Sequence, residues 1–264
     1  MAIFRKTLKE EFIITLVFCV VLPITIFFAI QEFQVAKYLD FSQFIQDVPG
    51  PLKKIAESFL VLNVFGGYLH IVVCVNWIII TSFYICVVSS GLIAREYEQK
   101  TLGLLLSYPV SRLRVILEKY LGSVFYLFLM VAAGFLGFYV GTYHGILNVP
   151  YEVSRFLVIT ANGFAFFLCL ASISLFFSVL FTEHQKAAVA SLLFFFLSYS
   201  VYFLGAFSSK WAKVRQFTLF RYFDTEKLCM ASDLKWGNIQ ALIIIAMVFL
   251  AVSVVIFHKK DITG

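Results

Sequence analysis

Charged residues are scarce in this chain. Only 14% of its 264 residues are Asp, Glu, Lys or Arg, whereas a soluble domain carries about 25%. Hydrophobic residues make up 61%, and the mean hydropathy is +0.93. This composition excludes an ordinary soluble domain, a disordered chain, a coiled coil, a collagen-like protein and a disulfide-rich scaffold. The sequence therefore predicts an integral membrane protein.

Motifs for common enzyme chemistries are also missing. The dipeptide Gly-Lys does not occur, so the chain has no G-x-x-x-x-G-K-[ST] loop with which to bind the phosphates of ATP. There is no His/Glu metal motif and no nucleophile elbow, and the four His residues are scattered. The chain is therefore predicted not to be an enzyme and to bind no cofactor or metal of its own.

The five cysteines do not predict a disulfide or metal site, and the excess of basic residues does not predict a nucleic-acid surface. Five cysteines show neither a pairing pattern nor metal-ligand spacing, and we interpret them as buried small hydrophobic residues. Four of them lie in apolar stretches, and Cys229 stands alone in a loop. The net charge of +6 is not massed on a folded domain, as a nucleic-acid surface would require. No nucleic-acid partner is expected.

Six apolar stretches are long enough to cross a membrane, which takes roughly 20 residues per helix. They are Phe12–Ile30, Gly67–Leu92, Leu121–Gly141, Phe156–Phe181, Ala187–Phe207 and Ile239–Phe257. None contains a charged residue, so the carboxylate relay of a typical ion-coupled carrier is absent. The predicted fold class is an all-α integral membrane protein, with residues 1–264 forming a single six-span domain.

The placement of Lys and Arg predicts the orientation. An even number of spans puts both termini on one side, and the shorter segments on that side have the higher density of basic residues, which favours the cytoplasm. Residues 31–66 and 208–238 would then face outward. Residues 1–11 place Ile3, Phe4 and Leu8 on one face and are predicted to form a short helix in the cytoplasmic interface.

Two features inside the spans predict helix packing. Gly137, Gly141 and Gly145 are spaced four apart, which lets helix backbones approach closely. The stripe fits packing within one subunit or, alternatively, a seam between two. His70 and Asn76 are expected to form hydrogen bonds with neighbouring helices rather than to bind a substrate.

The segment between the second and third spans is the most informative. It reads GLIAREYEQKTLGLLLSYPVSRLRVILEKYLGSV, residues 91–124. Charged residues open it, a leucine-rich turn follows, and Pro109 breaks the helix. The pattern predicts a short amphipathic helix, a turn and a basic segment that leads back into the membrane. Glu96 and Glu98 are expected to face water and to reach a soluble partner; the alternative is a solvated loop that only reconnects two spans.

This segment resembles the I-A-G-E-R-E-x-G-T-L-E-L-L-L-S-x-P-V-S-R signature of type 2 ATP-binding-cassette (ABC) permeases, the membrane subunits of many exporters. The matching residues are Ile93, Ala94, Glu96, Glu98, Thr101, Leu102, Leu104 to Ser107, and Pro109 to Arg112. Arg95 and Lys100 replace two glycines of the signature, and Gly103 replaces a glutamate. The segments FRYFDTEKL (220–228) and FHKKDITG (257–264) are also similar to segments of type 2 ABC permeases.

The resemblance implies a permease in the cell membrane, surrounded by lipid and paired with a second permease subunit, identical or related. Two cytoplasmic ABC ATPase subunits would carry the ATP and Mg and dock on a coupling helix between spans two and three. The docking residues that it implies are Arg95, Glu96, Glu98, Lys100, Thr101, Leu102, Leu104, Leu105, Pro109 and Arg112. The aromatic-rich spans favour an amphiphilic cargo.

Two other functions fit the same sequence. The chain could be an autonomous channel or carrier, active without ATP. It could also be a membrane anchoring or assembly factor that uses the 91–124 segment to hold a partner without transporting anything. Substrate movement driven by ATP distinguishes the permease from both alternatives.

Overall fold

The computed structural model describes residues 2–38, 59–107, 110–143, 153–207, 211–223, 225, 228–229 and 236–260. These residues form helices and turns and contain no strand. The described α-helices are α1 (Ala2–Gln31), α2 (Phe33–Ala36), α3 (Phe65–Tyr68), α4 (Val75–Glu98), α5 (Leu102–Ser107), α6 (Arg112–Tyr143), α7 (Val153–Leu180), α8 (His184–Phe207), α9 (Ala212–Arg215) and α10 (Trp236–Lys259). Short 3₁₀ helices cover Phe59–Asn63 and Leu219–Arg221.

The prediction of six membrane-spanning helices is confirmed. Each predicted apolar stretch coincides with one of six helical segments that are long and apolar enough to cross a membrane, although the fourth and fifth stretches run one and two residues past the ends of theirs. The second span is compound, because a π-helical turn (Leu69–Cys74) joins α3 to α4. In the most apolar stretch of each span, more than half of the residues are buried in the second, third and fourth spans, whereas fewer than a quarter are buried in the first, fifth and sixth.

The N-terminal segment is not a separate interfacial helix. Residues 2–22 contain neither Gly nor Pro, so α1 runs without a break from Ala2 into the first span. Its first turns pack on α6 rather than standing apart. The Phe4 ring meets Phe125 edge-on at 6.4 Å, and the Tyr126 hydroxyl donates to the Leu8 carbonyl oxygen.

Trp77 lies at the centre of the bundle and is fully buried. Its indole fits between two glycines on neighbouring helices: a Cβ atom on Gly134 would lie 2.6 Å from its ring nitrogen, and one on Gly163 would also clash with the ring. Phe138 and Phe167 meet the indole edge-on at 5.5 and 5.3 Å. Small residues on α6 and α7 therefore make room for the largest side chain on α4.

The glycine stripe on α6 packs within the chain. A Cβ atom on Gly137 would lie 2.8 Å from the Cα atom of Pro23, and one on Gly141 would lie 2.8 Å from Ile30. Both neighbours belong to α1, so these two glycines let α1 and α6 approach closely. The intrasubunit interpretation is confirmed for Gly137 and Gly141, and Gly145 lies outside the described residues.

The segment between the fifth and sixth spans enters the bundle. Phe220 and Phe223 are buried, and both rings pack against Phe166 of α7 at 5.0 and 5.2 Å. The Thr225 hydroxyl lies 2.7 Å from Nδ1 of His70. His70 therefore forms the expected hydrogen bond with a neighbouring part of the chain, whereas Asn76 donates to Val72 of its own helix.

Candidate functional site

Ionic side chains gather at one end of the bundle, which we call the charged end. Here α4 ends and α6 begins, with α5 between them. The first turns of α1 and the start of α8 lie beside them. The residues that the sequence singled out in 91–124 lie at this end.

Glu96 is the centre of the charged end. Its side chain is buried, with 3% exposure, and its Oε1 atom accepts hydrogen bonds from Lys6 of α1 and Lys119 of α6, both at 2.8 Å. The Thr101 hydroxyl donates to the other carboxylate oxygen. We call Glu96, Lys6, Lys119 and Thr101 the Glu96 network. It joins the first three spans to the residue that precedes α5.

The expectation that Glu96 faces water is wrong. Lys119 is as buried as Glu96, with 2% exposure, and a charge removed from water requires a partner of opposite sign. Lys6 is more exposed and also lies 3.5 Å from Glu10. The carboxylate of Glu96 is therefore paired within its own chain, and its contact with a partner stays a prediction.

Arg95 and Glu98 tie the same turn of α4 to α1 and α8. The Arg95 guanidinium forms an ion pair with Glu11 of α1, and its Nε atom lies 3.5 Å from Nδ1 of His184. The other ring nitrogen of His184 lies 3.1 Å from the Val87 carbonyl oxygen. Glu98 accepts a hydrogen bond from the backbone N–H of His184 at 3.1 Å, which places a carboxylate at the N-terminus of α8, where the helix dipole favours it.

A Schellman turn connects α4 to α5. The Lys100 N–H donates to the Tyr97 carbonyl oxygen and the Thr101 N–H donates to that of Glu96, both at 3.0 Å. Lys100 has a φ of +57°, the left-handed conformation that favours glycine. The family signature has a glycine at this position, and the turn explains why. Thr101 directly precedes α5, and its carbonyl oxygen accepts a hydrogen bond from the N–H of Leu105 at 3.0 Å.

α5 is anchored on one side and open on the other. Leu102 is buried, Leu105 is half-buried, and Gly103 is exposed with open space around its Cα atom. Glu98 and Lys100 are exposed beside it. The position of the Leu104 side chain and the whole of Pro109 lie outside the described structure. Among the described residues of this segment, Glu98, Lys100 and Gly103 therefore offer exposed positions beside one another.

Arg112, the last of the predicted docking residues, binds the end of the sixth span. Its guanidinium donates to the carbonyl oxygens of Phe257, His258 and Lys260 at 3.3, 3.0 and 2.8 Å. Cations are stabilising at such C-terminal carbonyls. Arg112 therefore fixes α10 next to the start of α6.

Lys260 makes the matching contact to the fourth span. Its amine donates to the carbonyl oxygens of Val179 and Leu180 at 2.7 and 3.2 Å, and lies 4.4 Å from the centre of the Tyr97 ring. Burial lowers the pKa of this amine. We call Arg112, Lys260 and Tyr97 the C-terminal clamp. The clamp was missed as a functional feature by sequence reasoning, although the similarity of the FHKKDITG ending was a signal for it.

The contacts of the charged end position helices against one another. Its carboxylates are occupied by cations or by a helix N-terminus. Among the described residues there is no cluster of three or more His, Cys, Asp or Glu that could hold a metal ion.

Comparison with known families agrees with the resemblance of the 91–124 segment. A family model described as ABC-2 family transporter protein matches residues 4–262, nearly the whole chain. No curated protein matches the chain.

Proposed function

This chain belongs to the ABC-2 transporter family and is a membrane permease, and we propose that it exports an amphiphilic substrate across the cell membrane with energy from separate ATPase subunits. The family implies an ABC transporter with ATPase partners. In our proposal two such subunits hold the ATP and Mg in the cytoplasm and act on the charged end. A second permease subunit, identical or related, completes the pathway.

The observation that carries the proposal is the way in which α5 is attached to the first three spans. Thr101 directly precedes this helix and donates hydrogen bonds to Glu96 through both its backbone N–H and its hydroxyl. Glu96 in turn holds lysines from the first and third spans. A force on α5 is therefore passed directly to three spans, instead of being absorbed by a flexible loop.

The composition of the spans supports an external energy source. No Asp, Glu, Lys or Arg lies within the six predicted apolar stretches, and ion-coupled carriers rely on such residues in the membrane. In our proposal the energy enters through α5. Both termini and the charged end then lie in the cytoplasm, as the density of Lys and Arg favours.

The test uses two glycines whose Cα atoms have open space around them. Gly103 lies on the exposed side of α5, and Gly237 lies near the start of α10. A Cβ atom at either position would have no described neighbour within 4 Å, so we expect both arginine variants to insert and fold. We expect Gly103→Arg to abolish co-purification of the ATPase subunit and substrate-coupled ATP turnover, whereas Gly237→Arg should retain both.

Two results would contradict the proposal. One is wild-type ATPase binding and coupled turnover in the Gly103→Arg variant. The other is ATP hydrolysis by the purified chain alone. Substrate movement in proteoliposomes that vanadate does not inhibit would favour an autonomous carrier, and ATP turnover that no cargo alters would favour an anchoring factor.

A further inference from the structure

Two sulfur atoms that are far apart in the sequence lie next to each other in the bundle. The Sγ atoms of Cys74 and Cys229 are 3.6 Å apart, although 155 positions separate the residues. Both side chains are buried, with 0% and 1% exposure. Cys74 is the last residue of the π-helical turn in the second span, and Cys229 belongs to the segment between the fifth and sixth spans.

This sulfur pair is one of three contacts along a single face of the second span. His70, Cys74 and Trp77 are spaced four and three residues apart, so they lie on one face of the helix. His70 bonds Thr225 at 2.7 Å, and the Trp77 ring meets that of Phe223 at 6.4 Å. The segment that contains Cys229 is therefore held in register against the second span, which fixes the distance between the two sulfur atoms.

We propose that Cys74 and Cys229 form a disulfide bond when the protein meets a peroxide. A disulfide has an S–S length of about 2.05 Å, so the two sulfur atoms must approach by roughly 1.5 Å. Hydrogen peroxide is small and uncharged, which suits a buried pair. The bond ties the segment between the fifth and sixth spans to the outer part of the second span.

The reaction balances with one peroxide molecule. Peroxide oxidises one thiol to a sulfenic acid and releases one water. The second thiol attacks the sulfenic sulfur, the S–O bond breaks, the S–S bond forms, and the hydroxyl leaves as a second water with the thiol proton. The two thiols lose two electrons and the peroxide gains them. The second step is favoured because the attacking sulfur is already in contact with the first.

The inference does not depend on transport, so its test needs only the full chain in its membrane. Membranes are treated with hydrogen peroxide, the remaining thiols are alkylated under denaturing conditions, and the unreduced digest is analysed by mass spectrometry. We expect a peptide pair linked through Cys74 and Cys229 in more than half of the chains. Dithiothreitol should remove the link.

Variants decide whether the link is specific. Cys74→Ser and Cys229→Ser should each abolish it, while Cys86→Ser, which changes another buried thiol of the second span, should retain it. In the wild type, hydrogen exchange of residues 219–229 should slow at least threefold after oxidation. The proposal is overturned if the treated wild type shows no link, or links Cys86 as often as Cys74.

Discussion

Replacing Glu96 by glutamine tests whether the charged end is as tightly paired as the structure indicates. The substitution keeps the size of the side chain and removes its charge. Lys6 is partly exposed and keeps its ion pair with Glu10 at 3.5 Å, so the loss of the Glu96 charge leaves its amine with a partner and with water. Lys119 is 2% exposed and loses the carboxylate 2.8 Å from its amine.

The magnitude follows from the burial of Lys119. Removing one partner of a buried ion pair costs about 3–5 kcal/mol, because the other charge stays in a poorly solvating environment. The glutamine oxygen can still accept a hydrogen bond from the lysine. We therefore expect Glu96→Gln to lower the free energy of unfolding by about 3 kcal/mol, at the lower end of that range. Adding Lys119→Met removes the stranded charge and should return the stability to within about 1 kcal/mol of the wild type.

The assay is equilibrium unfolding in mixed detergent micelles, followed by tryptophan fluorescence. Glu183→Gln is the matched control, because it makes the same change in an exposed pair with Lys186, and such pairs contribute about 0.2–1 kcal/mol. If Glu96→Gln and Glu183→Gln destabilise the protein equally, or if Lys119→Met fails to rescue the former, Glu96 is not the buried centre of the network.

Three further outcomes are expected. Lys100→Gly should raise the free energy of unfolding by up to about 1 kcal/mol by relieving the left-handed backbone. Gln99→Gly changes a residue with right-handed backbone and should lower the free energy of unfolding. Equal effects of the two substitutions would contradict the left-handed conformation of Lys100. Gly137→Ala should lower the free energy of unfolding by about 1–3 kcal/mol through overpacking, and Gly237→Ala should leave it unchanged. Coinciding unfolding curves of these two variants would contradict the close contact between α1 and α6. In a cysteine-free background, Tyr38→Cys should react with an impermeant maleimide added outside the cell, whereas Lys100→Cys should react only after permeabilisation. The reverse pattern would contradict the proposed orientation.

The sequence was sufficient for the six spans because membrane insertion is decided by local composition. A run such as Phe156–Phe181 must be a helix in lipid whatever its neighbours are. The same local reasoning found a short helix after the second span. It did not show that residues 1–11 continue directly into the first span, because amphipathic spacing does not indicate where a helix ends or what it contacts.

The details of the candidate site depend on contacts between distant residues. Glu96 was expected to face water because its own segment is charged, but the lysines that bury it come from residues 6 and 119. Arg112 was expected to meet a partner, and the structure shows that it caps the end of the sixth span. The contact of Arg112 with an ATPase subunit stays a prediction. The glycine of the family signature at the position of Lys100 was the one local clue to the left-handed turn, since glycine favours that conformation.

The C-terminal clamp has a consequence for the biosynthesis of the protein. Arg112 is synthesised at the start of the third span, but the carbonyl oxygens that it binds belong to residues 257–260, which are synthesised only at the end of the sixth span. Lys260 likewise reaches back to the end of α7. The charged end can therefore close only after the sixth span has been synthesised. A chain without residues 257–260 would leave the Arg112 guanidinium without these carbonyl oxygens, and the carbonyl oxygens of Val179 and Leu180 without the Lys260 amine. The clamp thus makes the packing of the charged end depend on the arrival of the sixth span.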